Sequence, residues 1–217
     1  MTAADDVLVE DVRLRIAERT ARELRDGELV NLGVGIPTLI PRVMRDDQAV
    51  TFHSENGVIG FEALDEDAEP DPSLINASKQ PIQEQEHTSY FDSASSFGMI
   101  RGRHIDVAVL GAFQVDEAGM VASWHIPGRP MMGVGGAMDL LVGARRVIIA
   151  MTHLGPDGSP KLVARCTLPL TANRPFDVLV TEKATFERRD GRIVLKDLAQ
   201  GVSLDELRAS TPMAFDV

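Results

Sequence analysis

The residue of this chain best suited to covalent chemistry is Glu55, which lies in the run His53-Ser54-Glu55-Asn56-Gly57-Val58-Ile59-Gly60. The apolar residues 49–52 before it predict a short buried strand, so the glutamate stands where a strand enters a glycine-rich turn. Such a position orients a carboxylate and partly dehydrates it, and both effects favour a nucleophile. The plainer interpretation is an exposed turn residue, which is the commoner environment of a glutamate.

Two further glycine-rich turns can supply hydrogen-bond donors to the same site. Gly33-Val34-Gly35-Ile36-Pro37 lies between a predicted strand and a predicted helix, and Asn31 precedes it. Gly133-Val134-Gly135-Gly136-Ala137-Met138-Asp139 leads into a later helix. Backbone amides at such turns can bind an oxyanion, although tight turns and close packing explain glycines equally well. We expect both turns and Glu55 to meet at the carboxyl edge of one sheet.

Several common site types are excluded. The five histidines lack the spacing of a metal site, and Cys166, the single cysteine, has no partner for a Cys-x-x-Cys motif. The chain has neither a Gly-Lys-Ser/Thr phosphate loop nor a Gly-x-Ser-x-Gly nucleophile turn. A glutamate nucleophile surrounded by amide donors, with no metal, is the candidate that remains.

Composition limits the partners of the protein. The net charge of −11 argues against nucleic acid or an anionic membrane surface as a ligand. The 217 residues contain 44% hydrophobic and 25% charged residues, which is normal for a globular protein. We see no apolar run of the ~18 residues that a membrane span needs and no basic start of a signal peptide. We therefore expect a cytoplasmic protein, in agreement with a single cysteine.

The order of predicted elements favours an α/β fold. Apolar residues at spacings of three and four predict an amphipathic helix over 9–25, which Gly27 ends. Nearly continuous apolar runs predict buried strands at 29–32, 105–110 and 147–151, and the segments between them have helical patterns at 39–44, 93–101 and 135–144. This alternation predicts a mainly parallel open sheet with flanking helices.

The last quarter of the chain has a different pattern. Short β segments are predicted at 178–180, 184–187 and 193–195, and Asp190-Gly191 is a favourable hairpin turn. Ser203-Leu204-Asp205-Glu206 forms a capping box that begins a final short helix. Since neither a repeat nor a linker divides the sequence, we expect a single domain over residues 1–217, with a short β-rich C-terminal part.

Seven motifs together resemble the B subunit of the 3-oxoacid CoA-transferases, from about residue 10 to the end of the chain. They are Asn31-Leu-Gly-Val-Gly-Ile-Pro37, Ser54-Glu-Asn-Gly57, Leu74-Ile-Asn-Ala77, Phe91-Asp-Ser93, Gly135-Gly-Ala-Met-Asp139, Cys166-Thr-Leu-Pro-Leu170 and Gly201-Val-Ser203. The second and fifth are highly specific as a pair. The resemblance implies a CoA-transferase fold, which is related to that of phosphosugar isomerases.

The resemblance also implies a mechanism. Glu55 would attack an acyl-CoA and form first an acyl-glutamyl anhydride and then a glutamyl-CoA thioester, so coenzyme A is a substrate and no permanent cofactor or metal is needed. Lys79 would help to bind CoA. Contacts to the substrate or to oxyanions would come from Asn31, Gly33, Gly35, Asn56, Gly135, Gly136 and Ala137. An A subunit is expected as partner, in an α2β2 assembly.

The sequence leaves open which acids this protein exchanges. Succinyl-CoA with a 3-oxo acid such as acetoacetate is the first interpretation, and 3-oxoadipate, a product of aromatic breakdown, is the nearest alternative. An acyl-CoA hydrolase or a non-catalytic subunit on the same scaffold are the others. Two departures from the family pattern bear on the acid: Glu62 adds a carboxylate expected near the nucleophile, and Arg129-Pro130 follows Gly128 where the family has lysine.

Overall fold

The computed structural model describes residues 3–65, 67–130 and 133–217. The helices are α1 (Ala3–Ala21), α2 (Ile40–Val43, continuing a 3₁₀ turn at Ile36–Leu39), α3 (Ser93–Arg101), α4 (Ala137–Gly143) and α5 (Leu204–Ala209). The strands are β1 (Leu29–Leu32), β2 (Thr51–Ser54), β3 (Val58–Ala63), β4 (Ile82–Tyr90), β5 (Val107–Leu110), β6 (Gln114–Asp116), β7 (Val121–Ala122), β8 (Arg146–Ala150), β9 (Leu162–Val163), β10 (Val178–Val180), β11 (Ala184–Arg189) and β12 (Arg192–Leu198).

A nine-stranded sheet runs in the order β12-β11-β10-β8-β5-β1-β2-β3-β4. Its central strands, from β10 to β2, are parallel, and antiparallel pairs extend it at both edges. A smaller sheet joins β7, β6 and β9. The predicted α/β fold, with its parallel centre, flanking helices and β-rich C-terminal part, is confirmed.

The chain extends this sheet from β1 in two directions. Strands β2, β3 and β4 follow on one side, and β5 then returns to pair with the other side of β1. The carboxyl ends of β1 and β5 therefore flank a topological switch point. Ligands of open α/β sheets bind at such a crevice, so the fold marks this edge as the place for a site.

The central strands are covered on both faces. In β5, Val107 and Val109 pack into the core cluster on the α1 side, whereas Ala108 and Leu110 pack into the cluster beneath α3 and α4. Because side chains alternate along a strand, the same parity in β1 turns Val30 and Leu32 towards α1. Asn31, between them, faces the α3 side.

The antiparallel edge formed by β3 and β4 has no counterpart among the predicted elements. Strand β4 carries polar residues over most of its nine positions and is largely exposed, as expected of an edge strand. Gly60, with φ +75°, lies at an irregularity of the pairing between the two strands. An apolar pattern cannot reveal a strand whose residues mostly face water.

Helix ends follow ordinary capping chemistry. The Ser203 hydroxyl accepts a hydrogen bond from the amide of Glu206 at 3.2 Å, so the predicted cap of α5 is confirmed. Asp92 caps α3 in the same way, by accepting from the amide of Ser95 at 2.7 Å. The predicted helix at 135–144 is shorter, because α4 begins only at Ala137. Within the described residues, no helix is both long and apolar enough to cross a membrane.

Candidate active site

The register of β1 and β2 brings two polar side chains together at the carboxyl edge. Asn31 and His53 are partners in this parallel pair, and both are fully buried. The Asn31 amide nitrogen Nδ2 lies 2.9 Å from Nδ1 of His53 and donates to Oε2 of Glu55 at 3.3 Å. The structure thus joins the predicted nucleophile to one of its predicted donors.

Glu55 begins the tight turn between β2 and β3, and its side chain is partly buried. The turn closes through Gly57, whose amide donates to the Ser54 carbonyl at 3.0 Å. Gly57 has φ +116°, and a Cβ there would collide with the carbonyl oxygen of Phe91. Only glycine fits this position, which explains why the residue two places after Glu55 is a glycine.

Gly136, which is distant from Glu55 in the sequence, lies beside its carboxylate in the fold. A Cβ built on Gly136 would lie 3.4 Å from Cγ of Glu55, 3.5 Å from Oε1, and 3.4 Å from Cζ of Phe97. Gly136 is the N-cap residue of α4. The backbone therefore approaches the carboxylate on the Oε1 side, while Asn31 holds Oε2.

His53 belongs to this arrangement, although the sequence patterns did not single it out. Its ring stacks on Phe91, with 5.8 Å between the ring centroids, and its Nε2 lies 3.3 Å from the hydroxyl of Ser96 on α3. Burial lowers the pKa of His53 to about 4, so the ring is neutral near pH 7. No spacing in the sequence reveals this role, because the contact of His53 with Asn31 depends on the register between β1 and β2.

The first glycine turn is used mainly for packing. The Gly33 amide donates to the Val109 carbonyl at 2.8 Å, and a Cβ at Gly33 would stand 3.0 Å from the same oxygen. The N–H of Gly33 is thus already used by the sheet, and a role of Gly33 in contacting substrate or an oxyanion stays a prediction. Gly35, with φ +92°, precedes the 3₁₀ turn, and its carbonyl accepts from Thr38.

Other predicted residues also have structural partners. The Asn56 side chain donates to the Ile75 carbonyl at 2.7 Å, so its amide nitrogen ties two loops together instead of facing Glu55. The Ala137 amide donates to the Val134 carbonyl at 3.3 Å, within the turn before α4. The neighbouring Gly135 has φ +54°, with nothing within 4 Å of an added Cβ. Among the three glycines of the second turn, Gly136 is the one whose added Cβ would touch the carboxylate of Glu55.

Lys79 stands exposed in a turn that is anchored to the site. The Asn76 side-chain oxygen accepts from the amides of Ser78 and Gln80, and Lys79 itself has φ +62°. The amide of Ala77 donates to the hydroxyl of Ser54 at 2.9 Å. The lysine turn is thus held by the residue directly before Glu55.

The two departures from the family pattern, Glu62 and Arg129, have different settings in the structure. Val58 pairs with Ser54, and Glu62 is four residues farther along β3, roughly 13 Å at the usual rise of a strand. Its carboxylate accepts from Gln85. The expectation that Glu62 lies near Glu55 is wrong, because β3 runs away from the turn. Arg129 is exposed in the loop before α4.

A cavity of 340 Å³ adjoins the lysine turn on one side of the site. Ser54, Asn76 and Gln80 line it together with Leu39 and Arg42, whereas Glu55 is not part of its lining. Among the described residues, no group of three or more His, Cys, Asp or Glu side chains is placed to hold a metal ion. The chemistry available at the carboxyl edge is that of Glu55 with its amide donor.

The sequence of this chain matches a known family over most of its length. Residues 13–209 match the family described as Coenzyme A transferase. The chain belongs to the coenzyme A transferase family. The resemblance noted from the motifs is confirmed, and the protein is a CoA-transferase by family.

Several relatives in this family are 42–47% identical to the chain over the aligned residues. It is 47% identical over 207 residues to the beta subunit of the acetate CoA-transferase of Escherichia coli K12, covering 95% of this chain and 94% of that one. The B subunit of a probable succinyl-CoA:3-ketoacid coenzyme A transferase of Bacillus subtilis is 42% identical over 209 residues, with 96% and 97% covered. The human mitochondrial succinyl-CoA:3-ketoacid coenzyme A transferase 2 is 42% identical over 210 residues, but the chain spans only 41% of it.

Solved CoA-transferases have the same fold. The apoenzyme of the acyl-CoA transferase YdiF from Escherichia coli O157:H7 gives a TM-score of 0.75 at 23% identity, over 94% of this chain and 41% of that one. The decarboxylase AibA/AibB gives 0.71 at 20% identity, over 94% and 85%. Since a decarboxylase shares the scaffold, the fold alone does not decide the reaction.

Proposed function

We propose that this protein transfers CoA between a donor acyl-CoA, in the first place succinyl-CoA, and a 3-oxo acid, through a glutamyl-CoA thioester on Glu55. The observation that carries the proposal is the setting of the carboxylate. Asn31 Nδ2 lies 3.3 Å from Oε2, and the backbone at Gly136 comes close on the Oε1 side. The family supplies the reaction class, and the geometry supports Glu55 as the group that reacts.

The reaction proceeds through two acyl intermediates on the glutamate. An oxygen of Glu55 attacks the thioester carbonyl of the donor, and CoA leaves as its thiolate with an acyl-glutamyl anhydride left behind. The thiolate attacks the glutamyl carbonyl carbon, which releases the first acid as a carboxylate and forms the glutamyl-CoA thioester. The carboxylate of the second acid then reverses both steps, and Glu55 returns as a free carboxylate.

Asn31 has a specific part in this scheme. If Oε1 attacks the donor, Oε2 remains as the carbonyl oxygen of the anhydride and of the thioester. When the CoA thiolate adds to that carbonyl, the negative charge develops on Oε2, which is the oxygen that faces Asn31 Nδ2. A donor aimed at the developing charge stabilises the transition state more than the ground state.

CoA itself has one candidate contact on this chain. Lys79 is an exposed cation at the end of the turn that the hydroxyl of Ser54 anchors. An ammonium group on a fixed turn near the nucleophile suits a phosphate of CoA. We assign to Lys79 the binding of CoA and no part in the bond changes at Glu55.

A partner chain completes the proposed enzyme. Relatives that the chain covers almost entirely are named as the beta subunit or the B subunit of their enzymes, and the human relative is more than twice as long. Four large apolar side chains stand exposed on the carboxyl edge that holds Glu55, namely Val34, Tyr90, Phe113 and Met138. Exposed apolar surface around a site is typical of a protein interface. We propose an A subunit in an α2β2 assembly.

The acid pair is the least constrained part of the proposal. The relatives are named for acetate in some cases and for succinyl-CoA with a 3-ketoacid in others. A short monocarboxylate such as acetate is therefore the second candidate acceptor, ahead of 3-oxoadipate. A hydrolase, in which water takes the place of the second acid, is a further alternative. Release of free CoA without an added acid distinguishes a hydrolase from a transferase.

The decisive experiment is to trap the thioester. The chain, co-purified with its partner subunit, is incubated with acetoacetyl-CoA or succinyl-CoA and then with borohydride, which reduces a glutamyl thioester to an alcohol. Mass spectrometry of the Glu55 peptide should show the alcohol only after acyl-CoA, and a Glu55→Gln complex should show none. CoA release is followed in parallel with and without an added acid.

The outcomes separate the alternatives. An alcohol at Glu55, together with CoA exchange that requires an acid, supports the transferase. Steady release of free CoA without any acid indicates a hydrolase. An unmodified Glu55 in a complex that binds CoA excludes the covalent mechanism.

A further inference from the structure

We propose that His53 is a positioning residue that fixes the orientation of the Asn31 amide, and that Ser96 in turn holds the His53 ring by accepting the proton of its Nε2. The inference rests on the proposed function, because it concerns how the donor to Glu55 is held. It adds two residues, neither of which touches the substrate, to the machinery of the site.

The contacts among these residues form one continuous chain. Ser96 Oγ lies 3.3 Å from His53 Nε2, His53 Nδ1 lies 2.9 Å from Asn31 Nδ2, and Asn31 Nδ2 lies 3.3 Å from Glu55 Oε2. Ser96, His53 and Asn31 are buried, so water does not compete for these bonds. The chain crosses from α3 through β2 to β1 and returns to the turn after β2.

Only one assignment of donors and acceptors satisfies all three hydrogen bonds of this chain of contacts. Glu55 in its carboxylate form accepts only, so Asn31 must turn its NH₂ group towards Oε2. The same NH₂ group faces His53 Nδ1, which must then be the unprotonated ring nitrogen. The proton of the neutral ring consequently sits on Nε2 and is donated to Ser96 Oγ. The hydroxyl of Ser96 can accept this proton, so the contact with α3 satisfies the Nε2-protonated ring.

The oxygen Oδ1 of the Asn31 side chain does not hold the amide group in place. Asn31 Oδ1 is buried, and it has no hydrogen-bond partner among the described residues. The amide can therefore gain nothing there, and its orientation depends on the two acceptors of Nδ2. An amide turned by 180° would place Oδ1 against both His53 Nδ1 and Glu55 Oε2, where oxygen would meet two acceptors.

His53 is needed because Glu55 changes charge during the reaction. A free carboxylate attracts the NH₂ group of Asn31 by itself, but an acylated Glu55 is neutral and attracts it less. The lone pair of His53 Nδ1 stays the same throughout the cycle, since burial keeps the ring neutral. The histidine thus keeps a donor aimed at Oε2 during the steps in which the oxyanion forms.

Two substitutions at position 53 separate orientation from packing. His53→Asn can place an amide oxygen where Nδ1 stands, and so keeps an acceptor for Asn31 while it loses the contact with Ser96. His53→Gln reaches towards Ser96 but leaves no acceptor at the Nδ1 position. Both variants lose the ring that stacks on Phe91, so they are matched in lost packing. Ser96→Ala serves as a third variant that keeps the whole histidine.

The measurements are kcat, KM for acyl-CoA and the single-turnover rate of thioester formation at Glu55, on the complex with its partner subunit. His53→Gln should lower kcat and the single-turnover rate by about tenfold to hundredfold, the value of one hydrogen bond to a charged group. KM should change by less than about threefold, since the binding surface is untouched. His53→Asn should retain more than about a fifth of kcat, and Ser96→Ala should fall between the two.

Each result decides something. Equal losses of kcat in His53→Gln and His53→Asn, or losses that appear only in KM, would overturn the positioning role. If the His53→Gln chain does not assemble with its partner subunit, a wild-type kcat in the Ser96→Ala complex would overturn the positioning role instead. A wild-type complex that forms no Glu55 thioester refutes the proposed function, whereas a normal thioester with insensitive variants refutes only the role of His53.

Discussion

The backbone of Gly136 lies against the carboxylate of Glu55, so that a methyl group on Gly136 would touch both Cγ, at 3.4 Å, and Oε1, at 3.5 Å. These are ordinary van der Waals distances and not collisions. Gly136 has φ −78° and ψ −5°, which alanine adopts without strain. Any requirement for glycine at this position therefore comes from the space beside the nucleophile and not from the backbone conformation.

Gly136→Ala should consequently reduce activity and leave the fold intact. The added methyl group occupies the Oε1 side of Glu55, where the acyl group must approach, and we expect kcat/KM to fall at least about tenfold. The free energy of unfolding should change by less than about 1 kcal/mol, because the weaker N-cap and the lower entropy of the unfolded chain act in opposite directions. Urea unfolding and steady-state kinetics of the same preparation check both.

Gly98→Ala is the matched control for this substitution. Gly98 lies in α3, and an added Cβ there has nothing within 4 Å. Alanine should stabilise this helix by up to about 1 kcal/mol and leave the kinetics unchanged. Equal activity of the two variants would show that the space beside Glu55 is not used.

A substitution at Gly57, in contrast, should lower the stability of the fold. Gly57→Ala combines φ +116° with a collision against the Phe91 carbonyl, and we expect it to cost about 3 kcal/mol or more. Gly128→Ala shares the positive φ, at +85°, but has open space around the new Cβ. It should cost only about 1 kcal/mol. Unfolding free energies that do not differ between the two would contradict the close approach of Phe91.

The central sheet could be predicted from the sequence because its strands are buried on both faces. The residues of β5 and β8 are apolar almost without interruption, and this pattern needs no knowledge of their neighbours. Strand β4 could not be found in this way. Its polar residues are accommodated by the exposed edge, and its pairing with β3 depends on where a distant segment of the chain lies.

Two features of the site could be predicted from the sequence, namely the residue types and the glycine-rich turns. These features predict Glu55 and Asn31, whose side chains the structure brings into contact. The hydrogen bonds of Gly33 and Asn56 could not be predicted, because the partners that occupy their N–H groups, Val109 and Ile75, are fixed only by the fold. His53 was missed for a related reason, since its contact with Asn31 depends on the register between two strands.

A second buried histidine should make the protein sensitive to acid. His153 donates or accepts at both ring nitrogens with the hydroxyls of Thr181 and Thr211, and it is fully buried. Desolvation, aided by the positive charge of Lys183, lowers its pKa to about 4. Below pH 6.5 the unfolded chain binds a proton that the folded chain refuses, so stability falls as the pH drops from 6.5 towards 4.

The expected loss from His153 between pH 7 and pH 5 is about 2 kcal/mol. Replacing the histidine by glutamine removes this contribution, so His153→Gln should be less stable at pH 7 but should lose about 2 kcal/mol less on acidification. Urea unfolding at pH 7, 6 and 5 measures the two slopes. Parallel slopes for the wild type and the variant would mean that the pKa of His153 is the same in the folded and the unfolded protein, so that burial does not lower it.

Lys79 should affect the binding of CoA and not the chemistry at Glu55. Its ammonium group is exposed, so a contact with a CoA phosphate is worth about 0.5–1 kcal/mol, and Lys79→Met should raise KM for acyl-CoA about two- to fivefold with kcat unchanged. The increase should shrink at high salt, where the charges are screened. An acyl-pantetheine substrate, which lacks the nucleotide phosphates, should not distinguish the variant from the wild type.

Lys196→Met is the control for Lys79→Met, since Lys196 is paired with Glu23 at 2.6 Å. An equal rise of KM for acyl-CoA and acyl-pantetheine would show that Lys79 acts on the turn beside Ser54 and not on the phosphates.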